Sequence, residues 1–137
     1  MAYWLVKSEP DEWNWATHAK QKTAVWDGIR NYQANNYLKE MKRGDRAFFY
    51  HTGAEKRIVG VLEVARTWAL DPKDEKGKFG TVGMTALFPV NRPVTLAEIK
   101  ATPSLQDIKL LKQGRLSVMP LTATEWKKLT ALAETKA

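Results

Sequence analysis

The chain of 137 residues contains no cysteine and only two histidines, His18 and His51. Disulfides and thiolate metal sites are therefore excluded, and two isolated imidazoles fall short of the three or four ligands a zinc site needs. No metal or other cofactor is expected. Long apolar runs are missing as well. No stretch approaches the roughly 18 apolar residues of a membrane span, and the opening MAYWLVKSEP has neither an apolar core of signal length nor a small-residue cleavage site. These features predict a cytoplasmic protein without a membrane partner. No repeat, low-complexity tract or Pro/Gly/Ser linker divides the sequence, so residues 1–137 are expected to form one domain and to act as a monomer. Enzyme signatures are equally scarce. The phosphate-cradling G-x-x-x-x-G-K-[ST], the dinucleotide-binding G-x-G-x-x-G and the nucleophile elbow G-x-S-x-G do not occur.

What is present is basic charge and tryptophan. Lysine and arginine number 22 against 15 acidic residues, a net charge of +7. Ten basic and five acidic residues lie between Lys20 and Arg66, so that third of the chain holds most of the excess. Such a balance suits an anionic partner such as nucleic acid, RNA or DNA, although solubility alone also accounts for it. Six tryptophans are many for this length. Trp4, Trp68 and Trp126 are assigned to the core, while Trp13 and Trp15 remain open between core and site.

The pattern predicts short strands and helices in irregular order. Tyr3–Lys7 reads as an opening strand, rich in aromatic and branched residues. Ser8-Glu9-Pro10-Asp11 has the chemistry of a helix start, leading to a helix that runs to about Lys20 and leaves His18 on the surface. Thr23–Trp26 is extended and closes on the Asp27-Gly28 turn. Asn31 caps a helix from Tyr32 to Lys42, with Gly44 as its stop. Strands are predicted at Arg46–His51, Ile58–Leu70, Val82–Pro89 and Arg115–Val118. Thr95-Leu-Ala-Glu98 and Thr122-Ala-Thr-Glu125 match capping boxes. The regular alternation of a doubly wound sheet is lacking, which leaves an α+β fold: a bent mixed sheet or partial barrel with helices at its rim.

Two segments carry the chemistry. From Trp26 to Asn36, where an extended segment turns into a helix, an indole, a guanidinium, a phenol and several amides fall within eleven residues. Arg30 could hold a phosphate, and a base could stack on Trp26 and pair with the amides. The structural alternative makes Trp26 core, Asn31 only a cap and Arg30 a surface charge. The second segment, Lys7-Ser8-Glu9-Pro10, ends the first strand, where Ser8 could also be a simple cap. His51 is a possible hydrogen-bond donor or base, or a histidine satisfied within its strand.

These segments resemble the EVE domain. The likeness rests on Tyr3-Trp4-Leu5-Val6-Lys7-Ser8-Glu9-Pro10, on Trp26-Asp27-Gly28-Ile29-Arg30-Asn31-Tyr32-Gln33-Ala34, and on Gly44-Asp45-Arg46-Ala47-Phe48-Phe49-Tyr50-His51. Ile58-Val59-Gly60-Val61, Arg92-Pro93-Val94-Thr95-Leu96 and Arg115-Leu116-Ser117-Val118 complete it, in the family's order. The resemblance implies a PUA-like fold, a bent mixed β-barrel with short surrounding helices. It also implies a non-catalytic module that reads a modified base or nucleotide in RNA or DNA through an aromatic-lined pocket. The related YTH domains read methylated adenine in this way, and their opening strand also ends in Lys-Ser. By that likeness Lys7, Ser8, Trp26 and Gly28 fall around one pocket, Arg30, Asn31 and Tyr32 line its entrance or floor, and His51 joins them. Phe79, in Lys76-Gly77-Lys78-Phe79-Gly80, is the only aromatic where family members carry a further one. The alternative is an enzyme acting on a modified nucleoside, since the similar ASCH domains include amidohydrolases. It would have to use Lys7, Glu9 and His51.

Overall fold

A computed structural model describes residues 1–137. Six strands form one mixed sheet: β1 (Tyr3–Ser8), β2 (Thr23–Trp26), β3 (Arg46–His51), β4 (Arg57–Leu70), β5 (Gly80–Thr95) and β6 (Val118–Leu121). Their order across the sheet is β2-β5-β4-β3-β1-β6. β1 runs parallel to β3, with Tyr3 opposite Arg46 and Ser8 opposite His51, and every other pairing is antiparallel. Register shifts along β4 and β5 bend the sheet. The barrel is partial, because the four-residue edge strands β2 and β6 do not pair with each other.

Helices α1 (Trp15–Gln21), α2 (Tyr32–Glu40), α3 (Leu96–Ala101), α4 (Lys109–Lys112) and α5 (Ala123–Leu132) surround this sheet. Asn31 caps α2 by accepting the Ala34 N–H at 2.9 Å. Thr95 with Glu98, and Thr122 with Glu125, form the two capping boxes that start α3 and α5. The core is a single cluster of 31 buried residues that draws on all six strands, with Leu5, Phe48, Phe49, Ile58 and Met84 fully enclosed. Trp126 of α5 seals one face of the sheet, stacked on Phe48 at 4.1 Å and on Tyr3 at 4.7 Å. On the other face the Trp15 ring lies flat on Gly60, where any Cβ would run into the indole.

Local signals failed where a longer-range partner competed. Ser8 is not a helix cap: its backbone belongs to the β1–β3 ladder, and its hydroxyl donates to the Trp13 carbonyl at 2.6 Å. The helix begins seven residues later, capped by Asn14, whose Oδ1 accepts the Thr17 N–H. α2 stops at Glu40 because Met41 is already extended, and Gly44, at φ +91°, serves the turn into β3 instead. The strand expected at Arg115–Val118 is displaced to Val118–Leu121, the stretch that meets β1. The strand expected at Val82–Pro89 extends to Gly80–Thr95, because β4 offers it a partner along that length.

Candidate functional site

A cleft of about 610 Å³ opens where β1 ends and β2 turns toward α2. That volume lies within the range of pockets that hold small ligands. Lys7, Ser8, Glu9, Glu12 and Trp13 line one side, and Trp26, Asp27, Gly28 and Ile29 line the other. Gly28 allows the turn between β2 and the approach to α2, since its φ of +76° is costly for any residue with a Cβ.

The two indoles are organised by His18. This histidine is fully buried rather than on the surface. Its Nε2–H donates to the Met84 carbonyl at 2.9 Å, and its Nδ1 accepts the Trp13 indole N–H at 3.1 Å. Only the neutral ring with the proton on Nε2 satisfies both bonds. Burial pushes the His18 pKa below its ordinary value, against the opposing pull of the Met84 carbonyl. Trp26 packs edge-on against Phe49 at 5.3 Å and lies 6.1 Å from the His18 ring. The sequence posed core or site as alternatives for Trp26, and the structure places it both in the core cluster and along the cleft. Its residual exposure is 6%, yet it belongs to the cleft lining. Its indole N–H has no partner within the protein, as is also true of Trp15, whereas those of Trp4, Trp13, Trp68 and Trp126 are all bonded. It is not sealed from solvent either, since Arg46 Nε is the one buried side-chain polar atom without a partner. Trp26 therefore gives the cleft a floor and a free donor, while the half-buried Trp13 gives it a wall.

The electrostatics inside the cleft oppose the net charge of the chain. Three carboxylates, Glu9, Glu12 and Asp27, face one ammonium, Lys7. The Lys7 Nζ donates to the Gly114 carbonyl at 2.8 Å, and partial burial lowers its pKa. Glu12 and Asp27 are exposed at the rim, Asp27 lies 3.4 Å from the Lys73 ammonium, and Glu9 accepts from the Thr52 hydroxyl at 3.2 Å.

Not all of the sequence-expected residues converge here. Lys7, Ser8, Trp26 and Gly28 line the cleft. Arg30 is turned away to donate to Asp71 Oδ2 at 3.1 Å, and its guanidinium also lies near the Phe79 ring. Burial would raise the Asp71 carboxyl, but N–H donors from Lys73, Arg30 and Gly28 hold it below the usual range. Asp71 thereby anchors the Gly28–Arg30 turn to the β4–β5 connection. Tyr32 is exposed and packs on Phe79 at 5.0 Å, so Phe79 adds nothing to the cleft wall. Asn31 caps α2 and lines a second, smaller cleft. His51 is also elsewhere: its Nε2 accepts the Trp15 N–H at 3.1 Å and its Nδ1–H donates to Glu55 at 2.9 Å. Lys7, Glu9 and His51 thus form no common catalytic group. His18 and Asp71 are the residues that sequence reasoning missed, and Trp13, left open between core and site, lines the cleft. Trp13 and His18 sit five apart around the start of α1, a spacing with meaning only once that helix is placed.

Comparison with known proteins identifies first the class and then the family. The chain has the PUA-like α+β fold: it superposes on the YTH domain of Zygosaccharomyces rouxii MRB1, solved with N6-methyladenosine RNA, with a TM-score of 0.59 at 19% identity over 96% of this chain and 86% of that one. The EVE domain model matches residues 2–132, and the chain belongs to the EVE domain family. It is similar to mouse thymocyte nuclear protein 1, with 32% identity covering 98% of this chain and 74% of the mouse protein. Among solved structures, a Rhodopseudomonas palustris protein is 46% identical with a TM-score of 0.93, covering 98% of this chain and 94% of that one. Human THYN1, crystallised with DNA containing 5-methylcytosine, is 29% identical with a TM-score of 0.91 over the whole of both chains.

Proposed function

We propose that this protein is a non-catalytic reader that takes one modified base of a nucleic acid into the cleft between Trp13 and Trp26. The observation that carries the reading is a cleft lined by two indoles, Trp13 fixed by His18 and Trp26 with an N–H that no protein group accepts, beside the carboxylates of Glu9, Glu12 and Asp27. Carboxylates at Glu9, Glu12 and Asp27 suit the exocyclic amino group of cytosine or adenine. A methyl group on the base adds about 0.8 kcal/mol when buried against indole, which helps offset the few kcal/mol needed to unstack the base. The DNA-bound human relative supports the same reading. The module is taken as residues 1–137 acting as a monomer in the cytoplasm.

The test is affinity for short oligonucleotides that differ only in one base: cytosine against 5-methylcytosine, and adenine against N6-methyladenine. At least one modified oligonucleotide should bind several-fold tighter than its plain counterpart. Equal affinity throughout such a panel would remove the reading.

A further inference from the structure

The second cleft, about 310 Å³, lies next to the first. The segment from Trp26 to Gln33 runs along both: Trp26 through Ile29 line the first, and Asn31 and Gln33 the second. On the opposite side, the Lys7–Gly114 hydrogen bond joins the lining of one to the lining of the other.

The two clefts differ in chemistry. Five of the six residues lining the second are not hydrophobic, and it contains no carboxylate. Gln33 and Gln113, 80 residues apart in sequence, form a reciprocal amide pair, with N–H donors to the opposing oxygens at 3.1 and 3.2 Å. Beyond this pairing Gln113 retains one N–H and each amide oxygen one lone pair, while the second N–H of Gln33 is directed to the Tyr37 hydroxyl at 3.5 Å. Gln33 is exposed and Gln113 half-buried, so these groups remain accessible. Beside them the exposed Arg115 forms no ion pair, whereas Arg30 is tied to Asp71.

We propose that the second cleft binds the nucleotide adjacent to the one inserted in the first. Arg115 takes a backbone phosphate, and the Gln33–Gln113 pair meets the edge of the neighbouring base. The inference rests on the base-reading role proposed above. An acidic cleft and a basic, amide-lined cleft divide the labour that a single strand requires: a base edge in one, backbone and neighbour in the other. Amide side chains match the donor–acceptor edge of adenine, so an adenine neighbour is the favoured context.

Binding of the modified mononucleoside is compared with that of single-stranded oligonucleotides carrying the modification with each of the four bases on either side. Wild type should bind the oligonucleotides at least tenfold tighter than the mononucleoside, with an adenine preference at one flank. Arg115→Ala should weaken all oligonucleotides alike, lower the log–log salt slope by about 0.7, and leave the mononucleoside unaffected. The double variant Gln33→Ala/Gln113→Ala should level the flanking preference, again with the mononucleoside unaffected, which also reports an intact fold. If both variants bind every oligonucleotide as wild type does, the second cleft is not a subsite, even where modified-base preference persists. Loss of mononucleoside binding in these variants would equally overturn the assignment, because it would place the residues in the first cleft's function. Wild type that never distinguishes modified from plain base would instead remove the underlying reading.

Discussion

A buried tryptophan lies beside a hollow at each end of β1, Trp4 of β1 itself and Trp26 of β2, and the two differ in how the indole N–H is used. At the start of the strand, Trp4 is 4% exposed and donates to Asp45 at 3.1 Å. The same buried carboxylate also accepts the backbone N–H groups of Ala2 and Lys42. The hollow there, about 950 Å³, is the larger one, but its central polar groups are already paired. At the end of the strand, Trp26 is buried almost as deeply and its N–H has no protein partner. Burial therefore does not separate a structural indole from a recognition indole, and neither does cavity size. Hydrogen bonding distinguishes Trp4 from Trp26: an unpaired buried donor costs about 1–3 kcal/mol and persists only where solvent or a ligand can satisfy it.

This contrast can be broken most forcefully at Asp45. Asp45→Ala leaves three donors without their acceptor, the Trp4 indole among them. A loss on the order of 3 kcal/mol in unfolding free energy is expected, with modified-base affinity of the folded fraction unchanged. Denaturant titration and oligonucleotide binding on the same sample measure both. A large change in affinity would mean that the two ends are not independent.

Trp26→Phe sharpens the other side. It keeps most of the ring against Phe49 and avoids the roughly 3–5 kcal/mol that a truncation to alanine costs in a core. Loss of the indole donor should weaken modified-base binding about tenfold, equivalent to about 1.4 kcal/mol, with little change in melting temperature. Unchanged affinity would show that the free N–H is incidental.

The smallest effect is the pH dependence through His18. Its folded pKa is lowered by burial, so the unfolded chain binds more protons than the folded one as pH falls below the ordinary value of about 6.5. The folded state should therefore be at full stability above that pH and lose stability progressively below it, down to the lowered pKa. Protonation of Nδ1 in the folded protein also removes the acceptor for the Trp13 indole, so base affinity should decline only at the lower end of this window, near the lowered pKa. The difference between wild type and His18→Leu, measured from pH 7.5 to 5, isolates this contribution. Identical pH profiles of stability would show that His18 binds protons equally well in the folded and unfolded chain, against the lowered folded pKa.

Much of the fold is legible locally. The capping boxes at Thr95 and Thr122, the Asn31 cap and the β3 limits at Arg46–His51 follow from nearest-neighbour chemistry, and the structure places them as that chemistry requires. The site is legible only in part. Lys7, Ser8, Trp26 and Gly28 sit at strand ends and a turn, where local pattern and resemblance point together. Arg30 and His51 look functional in sequence because their side chains can do chemistry. Asp71 lies 41 positions from Arg30 and the Trp15 N–H 36 from His51, too far along the chain for any local pattern to reveal, and only Glu55, four residues from His51, is a local partner.

The sequence by itself determined which residues could start helices, which stretches favour extended backbone, and that no thiol chemistry is available. Those outcomes depend on side-chain type and on spacings of a few residues. Only the tertiary structure decided which polar groups are paired. His18 finds Met84 across 66 positions, and Gln33 finds Gln113 across 80. Whether a donor such as the Trp26 indole N–H is left free depends on what the rest of the fold brings within about 3 Å of it, and chain-distant contacts of that kind leave no local mark in a sequence.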